Sequence, residues 1–118
     1  MLSMQILLKL LIASCAILAS CAAPQRMLVE FPAHSETRGE FIDELNVILI
    51  DTRAFEGCEA ATVWTNELES DKVWIYEEWQ TRAHQEAYLN WRNETGNTSH
   101  LGPFINGEVR FLWLNTHE

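Results

Sequence analysis

The octapeptide Lys72-Val73-Trp74-Ile75-Tyr76-Glu77-Glu78-Trp79 constrains this chain more than any other stretch. Successive side chains of an extended strand point to opposite faces. One face then carries Val73, Ile75, Glu77 and Trp79, and the other carries Trp74, Tyr76 and Glu78. Neither is polar enough to stand in water alone, so both sides of the sheet that holds this strand need cover. Helices of the same chain cover one side. The other side calls for a partner, and a second copy of the chain is the simplest one, so a homodimer is expected.

The neighbouring segments fix the order of elements. Met27-Leu28-Val29-Glu30-Phe31-Pro32 reads as a first strand ended by its proline. Ser35 offers an N-cap for a helix over about Glu36 to Asp51, where Phe41, Leu45, Ile48 and Leu49 make one apolar stripe. Gly57 precedes a second strand, Cys58 to Asn66, and the polar turn Glu67 to Asp71 joins it to Lys72–Trp79 as an antiparallel hairpin. Thr81 is placed to cap a second helix and Gly96 to end it. Within that helix His84, Ala87, Tyr88 and Trp91 share one face, while Gln85, Glu86, Asn90 and Asn93 take the opposite one. A loop at Gly102-Pro103 leads to a last strand, Glu108 to Asn115. The order is βαββαβ, a ferredoxin-like α+β fold with two helices on one face of an antiparallel sheet.

The chain has 118 residues, which suits a single domain, residues 27–118, behind a distinct leader. In that leader Lys9 precedes an apolar run from Leu10 to Ala19, and Leu18-Ala19-Ser20-Cys21 matches a bacterial lipobox. The run is too short for a comfortable membrane span. Residues 1–26 therefore read as a signal peptide carrying the lipidation site, Cys21, which would anchor the domain to a membrane of the cell envelope. With Met27 as the start instead, the protein would be cytoplasmic. Ile12-Ala13-Ser14-Cys15 also fits the motif but leaves too short an apolar core after Lys9.

Charge excludes one class of partner. Eight Lys and Arg stand against 17 Asp and Glu, a net charge of −9, and no basic stripe interrupts the acidity, so no nucleic-acid partner is expected. The membrane enters only through the lipid. Cys58 is the one cysteine left inside the domain and reads as a small core residue, and no Cys/His spacing suits a metal.

In this order and spacing, Thr52-Arg53-Ala54-Phe55-Glu56-Gly57-Cys58, Glu77-Glu78-Trp79, Thr81-Arg82-Ala83-His84 and Ala87-Tyr88-Leu89-Asn90-Trp91-Arg92 resemble the antibiotic biosynthesis monooxygenase family of dimeric α+β barrels. The likeness spans about Met27 to Leu114. It implies sheet-to-sheet pairing and a pocket, and an activity drawn from cofactor-independent oxygenation of quinols and polyketide aromatics, haem degradation or isomerisation of a small phosphorylated sugar-like signal. The haem-degrading members need an asparagine on the first strand, which Leu28-Val29-Glu30-Phe31 lacks; Trp79 and His100 stand where their tryptophan and haem ligand would be sought. Many quinol-type members carry a second histidine where Tyr88 stands here.

The expectation is a monooxygenase of a small quinol-like or hydroxy-aromatic compound that works without a cofactor. The alternative is a non-enzymatic dimeric module that binds a small hydrophobic ligand. For the first, a base, an apolar wall and an oxyanion donor are required. His84, Glu77 and Tyr88 are the candidate catalytic groups. Trp79 and Trp91 are the candidate stacking surfaces, and Arg53 and Arg92 the candidate anion binders.

Overall fold

The structure is a computed structural model that describes residues 22–118. The lipobox and Cys21 lie outside the described residues. Four strands, β1 (Gln25–Pro32), β2 (Cys58–Trp64), β3 (Lys72–Trp79) and β4 (Arg110–Leu114), form one antiparallel sheet in the order β2-β3-β1-β4. Two helices, α1 (Arg38–Ala54) and α2 (Arg82–Thr95), complete the ferredoxin-like α+β arrangement. No helix among the described residues is long and apolar enough to cross a membrane.

The alternation in β3 holds along its full length. Val73, Ile75, Glu77 and Trp79 are all buried, and the residues between them are half-buried. Cross-strand register carries this division through the sheet, because paired residues share a face. Met27 and Ala61 flank Glu77, Val29 flanks Ile75, and Phe111 follows Val29 on β4. Against this inner face α1 lays Phe41, Leu45, Ile48 and Leu49, all buried. Phe31 meets Phe41 edge to face with ring centroids 5.4 Å apart, and Phe104 stacks on Phe41 at 5.6 Å.

The boundaries differ from the sequence reading in physically readable ways. β1 begins at Gln25, two residues before the strand start expected at Met27. Gln25 pairs with Trp79, and Arg26 pairs with both Glu78 and Leu114. Ser35 does not cap α1. It starts a single 3₁₀ turn, Ser35–Thr37, and neither that turn nor α1 receives a side-chain N-cap. The helix then runs three residues past Asp51. β2 stops at Trp64 because Asn66 Oδ1 accepts from the amides of Leu68 and Glu69 at 2.9 and 2.8 Å, closing an Asx turn that takes the chain out of the ladder. A short 3₁₀ helix, Ser99–Phe104, replaces the expected loop at Gly102-Pro103.

The caps of α2 are where the sequence places them. Thr81 Oγ1 accepts from the His84 amide at 3.2 Å, and Gly96 adopts the left-handed conformation, φ 63°, with its amide bonded to Arg92 O at 2.9 Å. The helix is rolled relative to the expected face, however. Its buried residues are Gln85, Tyr88 and Arg92; Ala87 is exposed, and Gln85, read as solvent-facing, is only 4% exposed.

Candidate active site

Between sheet and helices lies a cavity of about 130 Å³. Val29, Phe31, Ile75 and Phe111 form its floor, with Leu45, Ile48 and Leu49 of α1 on the helix side. Polar groups enter at few points: Glu77 from β3, Tyr88 and Arg92 from α2, and Thr98 beyond the helix. Leu89, Thr98 and the 46%-exposed Phe111 are the partly solvated members and mark its mouth.

Glu77 is the notable member of this lining. It is only 4% exposed. The indole Nε1 of Trp79 donates to its Oε1 at 3.0 Å, and among the described residues no Lys, Arg or His forms an ion pair with it. Neither Arg53 nor Arg92 pairs with it. Burial raises the carboxyl pKa, and the Trp79 hydrogen bond offsets only part of that rise. The strand period puts this carboxyl in the apolar layer, and the adjacent indole two residues on gives it its donor.

Tyr88 and Arg92 belong to one hydrogen-bonded chain that bolts α2 to α1. Arg92 Nε donates to the Tyr88 hydroxyl at 2.9 Å, and that hydroxyl lies 2.7 Å from Thr52 Oγ1. Thr52 Oγ1 in turn donates to Ile48 O at 3.3 Å, so the Tyr88 hydrogen points to Thr52. Arg92 also donates from Nη2 to Ile48 O at 2.9 Å and to Thr52 Oγ1 at 3.2 Å, and from Nη1 to Asn97 Oδ1 at 3.0 Å. Its position in the last turn of α2 sets its charge against the negative end of the helix dipole. Burial raises the Tyr88 pKa despite the Thr52 and Arg92 contacts, so the phenol stays a neutral donor at physiological pH.

Thr52 is the member of this site that the sequence reading missed. It is fully buried and continues the α1 stripe as Phe41, Leu45, Ile48, Thr52. A hydroxyl at the fourth position of an otherwise apolar stripe was the available signal.

The other candidates lie outside the cavity lining. Trp79 is fully buried behind Glu77, its ring centroid 5.3 Å from that of Tyr88, and so supports the wall instead of forming it. Trp91 is half-buried against Phe55 at 5.5 Å, under the guanidinium of Arg92 at 4.7 Å. Arg53 is exposed, with Nε bonded to Ala61 O at 2.9 Å. His84 lies outside the lining as well. Its Nδ1 lies 2.7 Å from Thr81 Oγ1, and its ring packs over Gly57, whose φ of 87° and missing side chain make the space. The N-cap that begins α2 also pins His84 beside the strand entry, one helical turn away from Tyr88.

Cys58 is half-buried in β2 with its thiol pushed up to about 11 by burial first and by Glu77 second, which keeps it protonated. His100, the residue at the possible haem-ligand position, holds Nε2 3.3 Å from Glu44 Oε2 on the surface. Among the described residues no three His, Cys, Asp or Glu side chains converge as metal ligands do.

The fold and this pocket define the class: a ferredoxin-like α+β domain with a cavity between its sheet and helices. The family model for antibiotic biosynthesis monooxygenases matches residues 24–95, more than half of the chain, and the protein belongs to that family. Solved structures repeat the fold. A conserved protein from Methanosarcina mazei Go1 is similar over 86% of this chain and 99% of its own, with a TM-score of 0.70 at 15% identity. An antibiotic biosynthesis monooxygenase is similar over 80% of this chain and 99% of its own, with a TM-score of 0.68 at 12% identity. The protein PA3566 of Pseudomonas aeruginosa covers 82% of this chain and 97% of its own, at 0.64 and 17%. No curated protein matches the chain.

Proposed function

We propose that this protein is a cofactor-independent monooxygenase of a small quinol-like or hydroxy-aromatic compound. The observation that carries the proposal is Glu77: a buried carboxyl of raised pKa, without an ion-pair partner among the described residues, on the wall of a mostly apolar cavity. A general base works best with a pKa near the operating pH, and burial moves a carboxyl in that direction.

In this reading the base is Glu77, since His84 does not line the cavity. The ring hydroxyl gives its proton to Glu77, and the resulting anion passes one electron to dioxygen. The superoxide and the aryloxy radical combine at a ring carbon. Cleavage of the O–O bond leaves one oxygen on the ring and releases the other as water with the hydroxyl proton and the ring hydrogen. Arg92 and the chain through Tyr88 and Thr52 supply positive potential for the anion, and the aliphatic walls exclude water.

Oxygen uptake with a panel of one-ring hydroquinones and phenols tests this. Removing a general base costs on the order of 10²–10⁴-fold in rate, so Glu77→Gln should lose uptake by that factor while His84→Ala stays within a few-fold of wild type. Loss of uptake in His84→Ala with retention in Glu77→Gln would reverse the assignment, and no uptake by the wild type would sink the oxygenase reading for the panel. A non-enzymatic ligand-binding module is the second reading, favoured by the closed bond chain that already occupies the Tyr88 hydroxyl. Ligand binding without uptake would select it.

The working form in this proposal is a homodimer joined through the outer sheet face, tethered to the envelope by a lipid on Cys21. Leu28, Tyr76, Trp64 and Leu114 share that face, with Trp64 57% and Leu114 41% exposed, beside the ion pairs Arg26–Glu78, Lys72–Glu30 and Arg110–Glu30; exposed apolar groups rimmed by charge are of the kind that marks an interface. Mass spectrometry of the mature N-terminus tests the tether: a diacylated Cys21 supports it, and an N-terminus at Met27 replaces it with a cytoplasmic protein.

A further inference from the structure

We infer that the cavity takes a one-ring aromatic compound carrying a single oxyanion, and that Arg92 is the group that binds the charged oxygen. This deepens the oxygenase reading and rests on it only for the reaction, not for the binding.

Size sets the first limit. An apolar cavity of roughly 150 Å³ accepts one benzene ring, and the cavity here, at about 130 Å³, is of that order.

Arg92 sets the charge. It is only 5% exposed, and its four hydrogen-bond partners, Tyr88, Asn97, Thr52 and the Ile48 carbonyl, are all neutral. Among the described residues no carboxylate forms an ion pair with it. A guanidinium has five N–H donors. Four bonds leave one Nη1 hydrogen without an acceptor, on a residue that lines the cavity. A buried cation without a counter-charge is costly, and a charge-assisted hydrogen bond from an oxyanion is about twice as strong as a neutral one. The nearby carboxyl does not take this role: among the described residues Glu77 forms no ion pair with Arg92, and its hydrogen bond comes from Trp79.

Long-range charge cannot supply the selection. The chain carries a net −9, which opposes any anion, and at 0.1 M salt screening acts within about 10 Å. The choice between a charged and a neutral ring therefore falls to the groups in the cavity wall.

The test is a titration of wild-type protein with sodium benzoate and with benzyl alcohol, a neutral ring of nearly the same size, followed by tryptophan fluorescence and calorimetry. Benzoate should bind at least tenfold more tightly. Phenol, and a nitrophenol ionised at the assay pH, extend the comparison to phenolates, where the ionised ring should again bind more tightly. Equal affinities, tighter binding of the alcohol, or no binding of either would overturn the inference. Arg92→Lys keeps the charge but not the fork, and should weaken benzoate several-fold with benzyl alcohol unchanged; an equal loss for both would assign Arg92 a purely structural role. Because these are binding measurements, benzoate selectivity without oxygen uptake would sink the reaction and leave this inference standing. Uptake with no preference for the anion would do the reverse.

Discussion

Replacing Thr52 with valine probes the chain that holds Tyr88 and Arg92 in the cavity wall. Thr52 is fully buried, and valine matches its shape, so the substitution opens no cavity. What it removes is the acceptor 2.7 Å from the Tyr88 hydroxyl and one of the two acceptors of Arg92 Nη2. Tyr88 keeps the hydrogen bond it accepts from Arg92 Nε but is left with a buried O–H that has nowhere to point. Arg92 Nη2 keeps Ile48 O. A buried donor without a partner costs roughly 1–3 kcal/mol, and more where a charged group is involved. The expected loss is about 3 kcal/mol, equivalent to a fall in Tm of about 15 °C for a domain near 100 residues. Urea unfolding monitored by tryptophan fluorescence at fixed protein concentration measures it, with Thr52→Ser as the control that keeps the hydroxyl and loses only a methyl, about 1 kcal/mol. The double variant with Tyr88→Phe should cost less than the sum of the singles by about 1 kcal/mol or more, because each single orphans the other partner. A valine variant no less stable than the serine one, or strict additivity in the cycle, would refute the chain.

Three further outcomes are expected. Because the Glu77 pKa is raised on folding, the folded chain binds more protons than the unfolded one above the ordinary value of 4.5, and stability falls as pH rises through that window toward the folded pKa. Glu77→Gln should flatten this slope in urea midpoints and be at least as stable as wild type near pH 7, by about 1.4 kcal/mol for each unit of the raised pKa; an unchanged slope would remove Glu77 as its cause. Gly57→Ala meets both a φ of 87° and the ring of His84, so a loss of about 2–4 kcal/mol is expected, part of it recovered when His84→Ala is added, and a neutral Gly57→Ala would contradict the packing. The proposed homodimer predicts that light scattering sees a dimer for wild type and a monomer for Trp64→Glu, which places a charge on the outer sheet face; a monomeric wild type would refute the dimer, and an unaffected dimer would place the interface elsewhere.

Much of the scaffold was legible because its determinants are local. The alternation of Lys72–Trp79 fixed β3 to the residue, and Thr81 and Gly96 bounded α2, since a cap is a short-range contact between a side chain or a glycine and its own helix. Boundaries went astray where a neighbouring strand decided them. Gln25 and Arg26 join β1 only because Trp79, Glu78 and Leu114 wait opposite. The start of α1 was misread because Ser35 promises a cap that the 3₁₀ turn does not use.

The amino-acid sequence alone determined which strand face carries Glu77 and Trp79, because a period of two admits only that assignment. It did not determine which side of α2 meets that face. The periodic reading chose His84, Ala87, Tyr88 and Trp91, while the folded chain buries Gln85, Tyr88 and Arg92. The two sets share Tyr88, but their centres differ by roughly 80° around the helix axis at about 100° per residue. An arginine reads as solvent-facing because burying its charge alone is prohibitive. Here Ile48 O and Thr52 from α1, Tyr88 from α2 and Asn97 beyond it converge on the guanidinium. Those acceptors lie up to 44 residues away in the chain, so only the packed helices could place the charge inside.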